Sequence, residues 1–173
     1  GANVLYRNQG DQVGADGIPE FTDVASQVGG MVNDGSDGRL CCAGDVDGDG
    51  DMDVFVGNEA VGNVMYQNDL GNNFRYLMVK LVGKGAALGG SSPDAIGARV
   101  RIEDASTGAS VMWRWVGSGR GAGADDPKIL HFGGITPSRA YHVHVTWTTG
   151  ATQSLMNVVP TTKTSQTVTI VEQ

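Results

Sequence analysis

The chain has 173 residues, a formal net charge of −7 and a pI near 4.7. That length suits one large or two small domains, and a folded 18.0 kDa chain hides roughly 70% of the surface its unfolded form exposes, so a core needs no disulfide staples. The acidic balance disfavours nucleic acid and anionic membrane surfaces as partners, and no segment reaches the 18 or so apolar residues of a membrane span.

Short β-prone runs alternate with clusters of Gly, Asn and Asp, and glycine alone accounts for 27 residues. The pattern predicts an all-β chain. In chain order the predicted strands cover residues 4–7, 38–43, 53–57, 64–67, 76–82, 98–104, 110–116, 129–132, 142–147, 154–158 and 167–171. No long stretch with a 3.6-residue period competes with them; the best helical turn is short, at 23–28. The chain begins Gly1-Ala2-Asn3, which is not the start of a signal peptide. Lacking a leading Met, it reads as a processed mature protein or an excised fragment.

Cys41 and Cys42 are adjacent, with Cα atoms about 3.8 Å apart across a trans peptide, short of the usual disulfide range. They read as small buried apolar residues, with a bond to another chain as the alternative.

The densest chemical signal follows them. Asp45, Asp47, Asp49, Asp51 and Asp53 place five carboxylates in nine residues. Two carboxylates ~5 Å apart repel by roughly 3 kcal/mol at an effective dielectric of 20, so a folded loop needs a cation or must splay them into water. Side chains at loop positions 1, 3 and 5 (Asp45, Asp47, Asp49) can aim at one centre. Gly50 allows the bend, Asp51 can offer its carbonyl, and Asp53 closes the shell. An all-oxygen set in a flexible loop suits Ca²⁺, and the absence of thiol or imidazole from the loop argues against zinc. A helix-loop-helix calcium site needs Glu at position 12; here that position is Val56, in a β-prone run, so the loop leads into a strand. Weak calcium sites work at millimolar ion, which points outside the cell.

Asn3-Val4-Leu5-Tyr6-Arg7-Asn8 returns as Asn63-Val64-Met65-Tyr66-Gln67-Asn68. The second copy follows the calcium strand as a hairpin partner would. The first has no such strand ahead of it, so residues 1–30 read as the trailing half of a repeat.

These residues resemble an FG-GAP (VCBS-type) repeat, the calcium-loop blade of integrin α-subunit propellers and many bacterial surface proteins. The resemblance rests on the Asp45–Asp53 loop, the Val-Phe-Val-Gly-Asn run after it, and Asn63-Val-Met-Tyr-x-Asn68. Phe21-Thr22-Asp23-Val24-Ala25 is similar to the segment that joins two such repeats. The remainder resembles the ASPIC/UnbV domain, which commonly follows these repeats, including in the cartilage acidic protein family. Its marks are residues 76–83, Ala95-Ile96-Gly97-Ala98-Arg99-Val100, Leu130-His131-Phe132-Gly133, and Val145-Thr146-Trp147-Thr148-Thr149-Gly150. The family usually carries several repeats ahead of that domain, where this chain has about one and a half. The resemblance implies a partial propeller-blade-like repeat region (1–74) joined to a β-sandwich-like domain (75–173). It also implies Asp45, Asp47, Asp49, Asp51 and Asp53 as calcium ligands, and it implies no catalytic residue.

Other residues compete for attention. His142 and His144 alternate on one strand and so share a face; with His131 they could hold Zn²⁺ in a metal-dependent hydrolase, or simply line a solvated face. Trp113 and Trp115 also share a face, either stacking on sugar rings as a carbohydrate- or ligand-binding module or covering a core or an intersubunit contact. Trp147 is expected in the core. Gly117-Ser118-Gly119-Arg120-Gly121-Ala122-Gly123 lacks the Lys-Ser/Thr ending of a phosphate loop and reads as a flexible loop. No Asn-x-Ser/Thr sequon occurs; Thr161, Thr162, Thr164 and Ser165 leave O-glycans open. The combined expectation is a secreted, calcium-stabilised, non-enzymatic structural or adhesion protein. Its partners would be copies of itself, as a homo-oligomer or filament built by strand or blade completion, with a cell-surface or glycan partner as a further option.

Overall fold

The β6 strand (Arg75–Val82) sends Leu77, Val79 and Leu81 to one side, all buried, and Tyr76, Met78 and Lys80 to the other. That alternation organises the larger part of the protein, because successive strand residues face opposite ways. In the computed structural model, residues 4–14, 16–28, 38–59, 62–69, 75–119, 127–160 and 167–173 are described. Asn3, residues 120–123 of the glycine-rich loop, and Thr161, Thr162, Thr164 and Ser165 lie outside them.

The fold is all-β. Among the described residues there are twelve strands and two short 3₁₀ turns, Ala25–Gln27 and Ala86–Leu88. Eleven strands fall on predicted runs, with ends shifted by up to six residues. The predicted turn at 23–28 is the first 3₁₀ turn, opened by Asp23 Oδ1 accepting the Ala25 N–H at 3.0 Å. No helix among the described residues is long and apolar enough to cross a membrane.

The chain divides into two compact units, Gly1–Cys41 with Val54–Tyr66, and Cys42–Asp53 with Gln67–Gln173. In the first, β1 (Tyr6–Val13) and β2 (Pro19–Asp23) form an antiparallel ribbon. The strands β3 (Gly38–Gly44), β4 (Asp53–Asn58) and β5 (Val64–Tyr66) form a second small sheet. The β4–β5 turn is fixed by the echoed asparagine: Asn63 Oδ1 accepts the Asn58 N–H at 3.0 Å. Cys41 is exposed and Cys42 half-buried, and neither is in a disulfide. This corrects the expectation of two buried residues.

The second unit pairs two sheets around one core. One has the order β12-β6-β9, with β9 at Ile129–Ile135 and β12 at Thr167–Val171; the β12–β6 pairing is parallel. The other has the order β11-β10-β7-β8, with β7 at Arg99–Asp104, β8 at Ser110–Trp115, β10 at Tyr141–Thr146 and β11 at Thr152–Val158. Leu77, Val79, Val100, Ile102, Phe132, Ile135, Val143 and Val145 fill the space between. Trp147 joins them, as expected, with its indole N–H donating to Gln153 Oε1 at 3.2 Å.

A buried carboxylate closes one end of this core. Glu172, 5% exposed, accepts the Ser91 and Lys84 N–H groups at 2.7 and 3.1 Å on one oxygen. The Ser91 and Thr149 hydroxyls donate to the other, both at 3.1 Å. Burial pushes its pKa up, but these bonds outweigh burial and hold it below the usual carboxylate range. A folded pKa below the unfolded one adds stability that is present above the unfolded value and lost as pH falls through the folded value. The melting-temperature gap between the wild type and Glu172→Gln should therefore be full at neutral pH and shrink below about pH 4. An equal gap at low and neutral pH would refute this role.

Candidate metal centre

Asp45, Asp47 and Asp49 each bring a carboxylate oxygen within 4.8 Å of the others. The backbone of the loop holds them there. Asp45 accepts the Gly48 N–H at 2.8 Å and the Gly50 N–H at 3.1 Å. Asp47 accepts the Asp49 N–H at 3.2 Å, and Asp49 accepts the Asp51 N–H at 2.8 Å. Glycines with positive φ at 48 and 50 permit the winding that aims these N–H groups inward.

Asp53 has a different neighbourhood. It is 2% exposed, and its two oxygens accept the Val46 N–H at 2.8 Å and the Asn68 N–H at 2.9 Å. It closes the loop by tying its first turn to the segment after β5. Gln67 Nε2 donates to Asp47 Oδ2 at 2.5 Å. Asp51 is half-buried and outside the three-carboxylate group.

The back of the loop rests on the outer face of sheet β12-β6-β9. Tyr76 donates its hydroxyl to the Gly48 carbonyl at 3.3 Å and stacks on His131, with ring centroids 5.4 Å apart. His131 Nε2 lies 2.9 Å from the Gly50 carbonyl, which can only accept, so that nitrogen carries the proton. Burial lowers the His131 pKa and Arg114 adds to this, against the Gly50 carbonyl, Asp45 and Asp51, which raise it. The Tyr76 hydroxyl is shifted up by burial, then by the charges of Asp45 and Asp49. Both rings are thus kept as neutral donors to the loop.

The donor set fits a hard divalent cation: three carboxylates, no sulfur, and the nearest imidazole turned onto a backbone carbonyl. The histidines do not form a rival centre. His131 is on β9, whereas His142 and His144 stand together on β10 with rings 6.2 Å apart. Among the described residues the aspartate trio is the group found. Beside the loop lies a cleft of about 530 Å³ lined by Asp45, Met52, Met78, Arg114, Trp115 and His131 among others, within the size range of small-ligand sites.

Trp113 and Trp115 are 53% and 58% exposed, so they do not cover the core. The sequence showed that they share a face but missed Tyr76, Gln67 and Asn68 as parts of the loop's setting. Gln67 and Asn68 close the echo and Tyr76 opens a family mark, but nothing in the spacing ties any of them to the loop.

An acidic loop held on a β-sandwich defines the class: an all-β protein with a candidate metal centre. Residues 88–173 match the family model described as ASPIC and UnbV, so this part of the chain is an ASPIC/UnbV domain. No FG-GAP or VCBS repeat is detected ahead of it. No curated protein matches the chain. Three of the four sequence marks fall within the match; the fourth, at 76–83, precedes it, although β6 is the central strand of its sheet.

Proposed function

We propose that this is an extracellular, calcium-stabilised, non-enzymatic structural or adhesion module that assembles with copies of itself. The observation that carries the reading is the cluster of Asp45, Asp47 and Asp49 oxygens, already gathered by backbone N–H groups. Asp51 and Asp53 complete the proposed ligand loop, Asp53 by fixing its closure. Calcium is the favoured ion because every donor is oxygen and Ca²⁺ accepts oxygen ligands in flexible geometry, with water free to fill the rest of its shell. Such a site works at extracellular ion levels, which supports a secreted location.

Assembly is supported by the first unit. Its buried apolar residues among those described are Val24, Ala25 and Val56, while Val4, Tyr6, Ile18, Phe21 and Met65 stay exposed. All five β2 residues are exposed, and an isolated two-stranded ribbon is marginal in water. An apolar recess lined by Val4, Leu5, Leu40, Val54 and Val56 offers a seat for a neighbouring copy's strand. Titration calorimetry with Ca²⁺, alongside light scattering, tests both parts. We expect one calcium site per chain, lost in Asp47→Ala/Asp49→Ala, and a scattering mass above the 18.0 kDa monomer. Absence of calcium heat would remove the metal reading, and a stable monomer would remove the assembly reading.

A further inference from the structure

The outer face of sheet β11-β10-β7-β8 carries chemistry that the metal loop does not use. Antiparallel register sets Trp113 opposite Arg101 and Trp115 opposite Arg99, so the two indoles stand on one exposed face. Two residues of antiparallel strand separate them by about 6.8 Å. The Arg101 guanidinium lies 5.7 Å from the Trp113 ring centroid. It is held there by Glu103 at 2.6 Å and by the Ser110 hydroxyl at 2.9 Å. On the neighbouring strand, His144 bonds the Ser154 hydroxyl at 2.8 Å and stands 3.6 Å from Glu103.

We infer that this face is a carbohydrate-binding platform, with Trp113 and Trp115 stacking on successive rings of a neutral polysaccharide. Indole planes match the C–H faces of pyranose rings, and the spacing is of the order of one ring and its linkage. The flanking carboxylate, hydroxyl and imidazole groups supply donors and acceptors for ring hydroxyls. Arg101 is already paired with Glu103, and Arg99, exposed opposite Trp115, adds a further donor for ring hydroxyls beside the indoles. With one cation paired and one remaining, the face is only weakly charged, which suits a neutral polymer better than a strongly acidic one. The Arg101 side chain is also fixed before binding, which lowers the ordering cost. A nucleic acid fits poorly with a chain of net charge −7. A protein partner fits poorly too: two half-exposed indoles offer on the order of 250 Å², against about 800 Å² per partner in a stable interface.

The test is affinity electrophoresis of the intact chain through gels holding β-glucan, xylan or mannan, with polygalacturonate as the acidic arm. We expect at least one neutral polymer to retard the wild type. Trp113→Ala and Trp115→Ala should each weaken retardation by about tenfold or more, and the double variant should abolish it. Asp47→Ala/Asp49→Ala should leave it intact, which separates this inference from the calcium reading. Should the tryptophan variants fail to fold, a blue shift of wild-type tryptophan fluorescence on adding the retarding polymer supports the platform, and no shift overturns it. Retardation by none of the neutral polymers, retardation by the acidic polymer alone, undiminished retardation in the double variant, or loss of oligomers in place of sugar binding would each overturn it.

Discussion

Chelating calcium is expected to lower the melting temperature by about 5–10 °C. An ion at 100 times its dissociation constant adds about 2.7 kcal/mol to the folded state, and each kcal/mol moves a domain of this size by roughly 2–4 °C. The ion's benefit depends on what the empty loop endures. Asp45, Asp47 and Asp49 oxygens within 4.8 Å of one another repel by about 1 to 3 kcal/mol per pair, from water-like to surface-like dielectric. Hydrogen bonds from the Gly48, Asp49, Gly50 and Asp51 N–H groups offset part of this, since a bond to a charged group contributes about 1.5–3 kcal/mol. The empty loop is therefore strained but not shapeless, and calcium adds to a site that is already drawn. Asp47→Ala/Asp49→Ala removes both repulsion and ligands, so its melting should no longer respond to chelator. Identical wild-type melting curves with calcium and with chelator would end the metal reading.

The sequence made the central strands β7 and β10 legible because their burial alternates cleanly, as in Tyr141–Thr146, where Tyr141, Val143 and Val145 are buried. It hid β2 because all five residues from Pro19 to Asp23 are exposed, leaving no alternation to read. The orientation of β8 was hidden for the opposite reason. Val111, Trp113 and Trp115 on one side are all apolar, whereas Met112 and Val116 share the other with the charged Arg114, so period two fixes the faces but the composition favours the wrong one. Arg114 in fact faces inward, its guanidinium 5.8 Å from the Phe132 ring centroid. The aspartate loop could be read from spacing alone, since its ligands are local. Its seat could not. Gly50 and His131 are 81 residues apart, and the imidazole that suggested a zinc ligand instead donates to a carbonyl of the loop. Local chemistry writes itself into spacing, whereas a docking contact between distant strands leaves no periodic trace.

Gly50→Ala should be the most damaging single substitution in the loop, costing about 3–5 kcal/mol from backbone strain and overpacking together. Gly50 has φ +95°, in the left-handed region that side chains avoid. A methyl group added there would lie 2.0 Å from Tyr76 Cδ1 and 2.1 Å from Cε1, which no contact tolerates. The ring has little freedom to retreat: Tyr76 is buried, stacked on His131 and bonded to the Gly48 carbonyl. Relief must come from lifting the loop, which breaks the His131–Gly50 bond and disturbs the N–H groups that gather Asp45. Gly48→Ala is the matched control. It has φ +78° but open space around the added carbon, so it bears only the backbone cost of about 1–2 kcal/mol. Denaturant unfolding of the two variants should separate them by about 2 kcal/mol or more, the overpacking share of the cost, with calcium affinity falling further in Gly50→Ala. Equal stability in the pair would mean that Tyr76 does not lie beneath the loop, and that the metal centre stands without support from the sandwich.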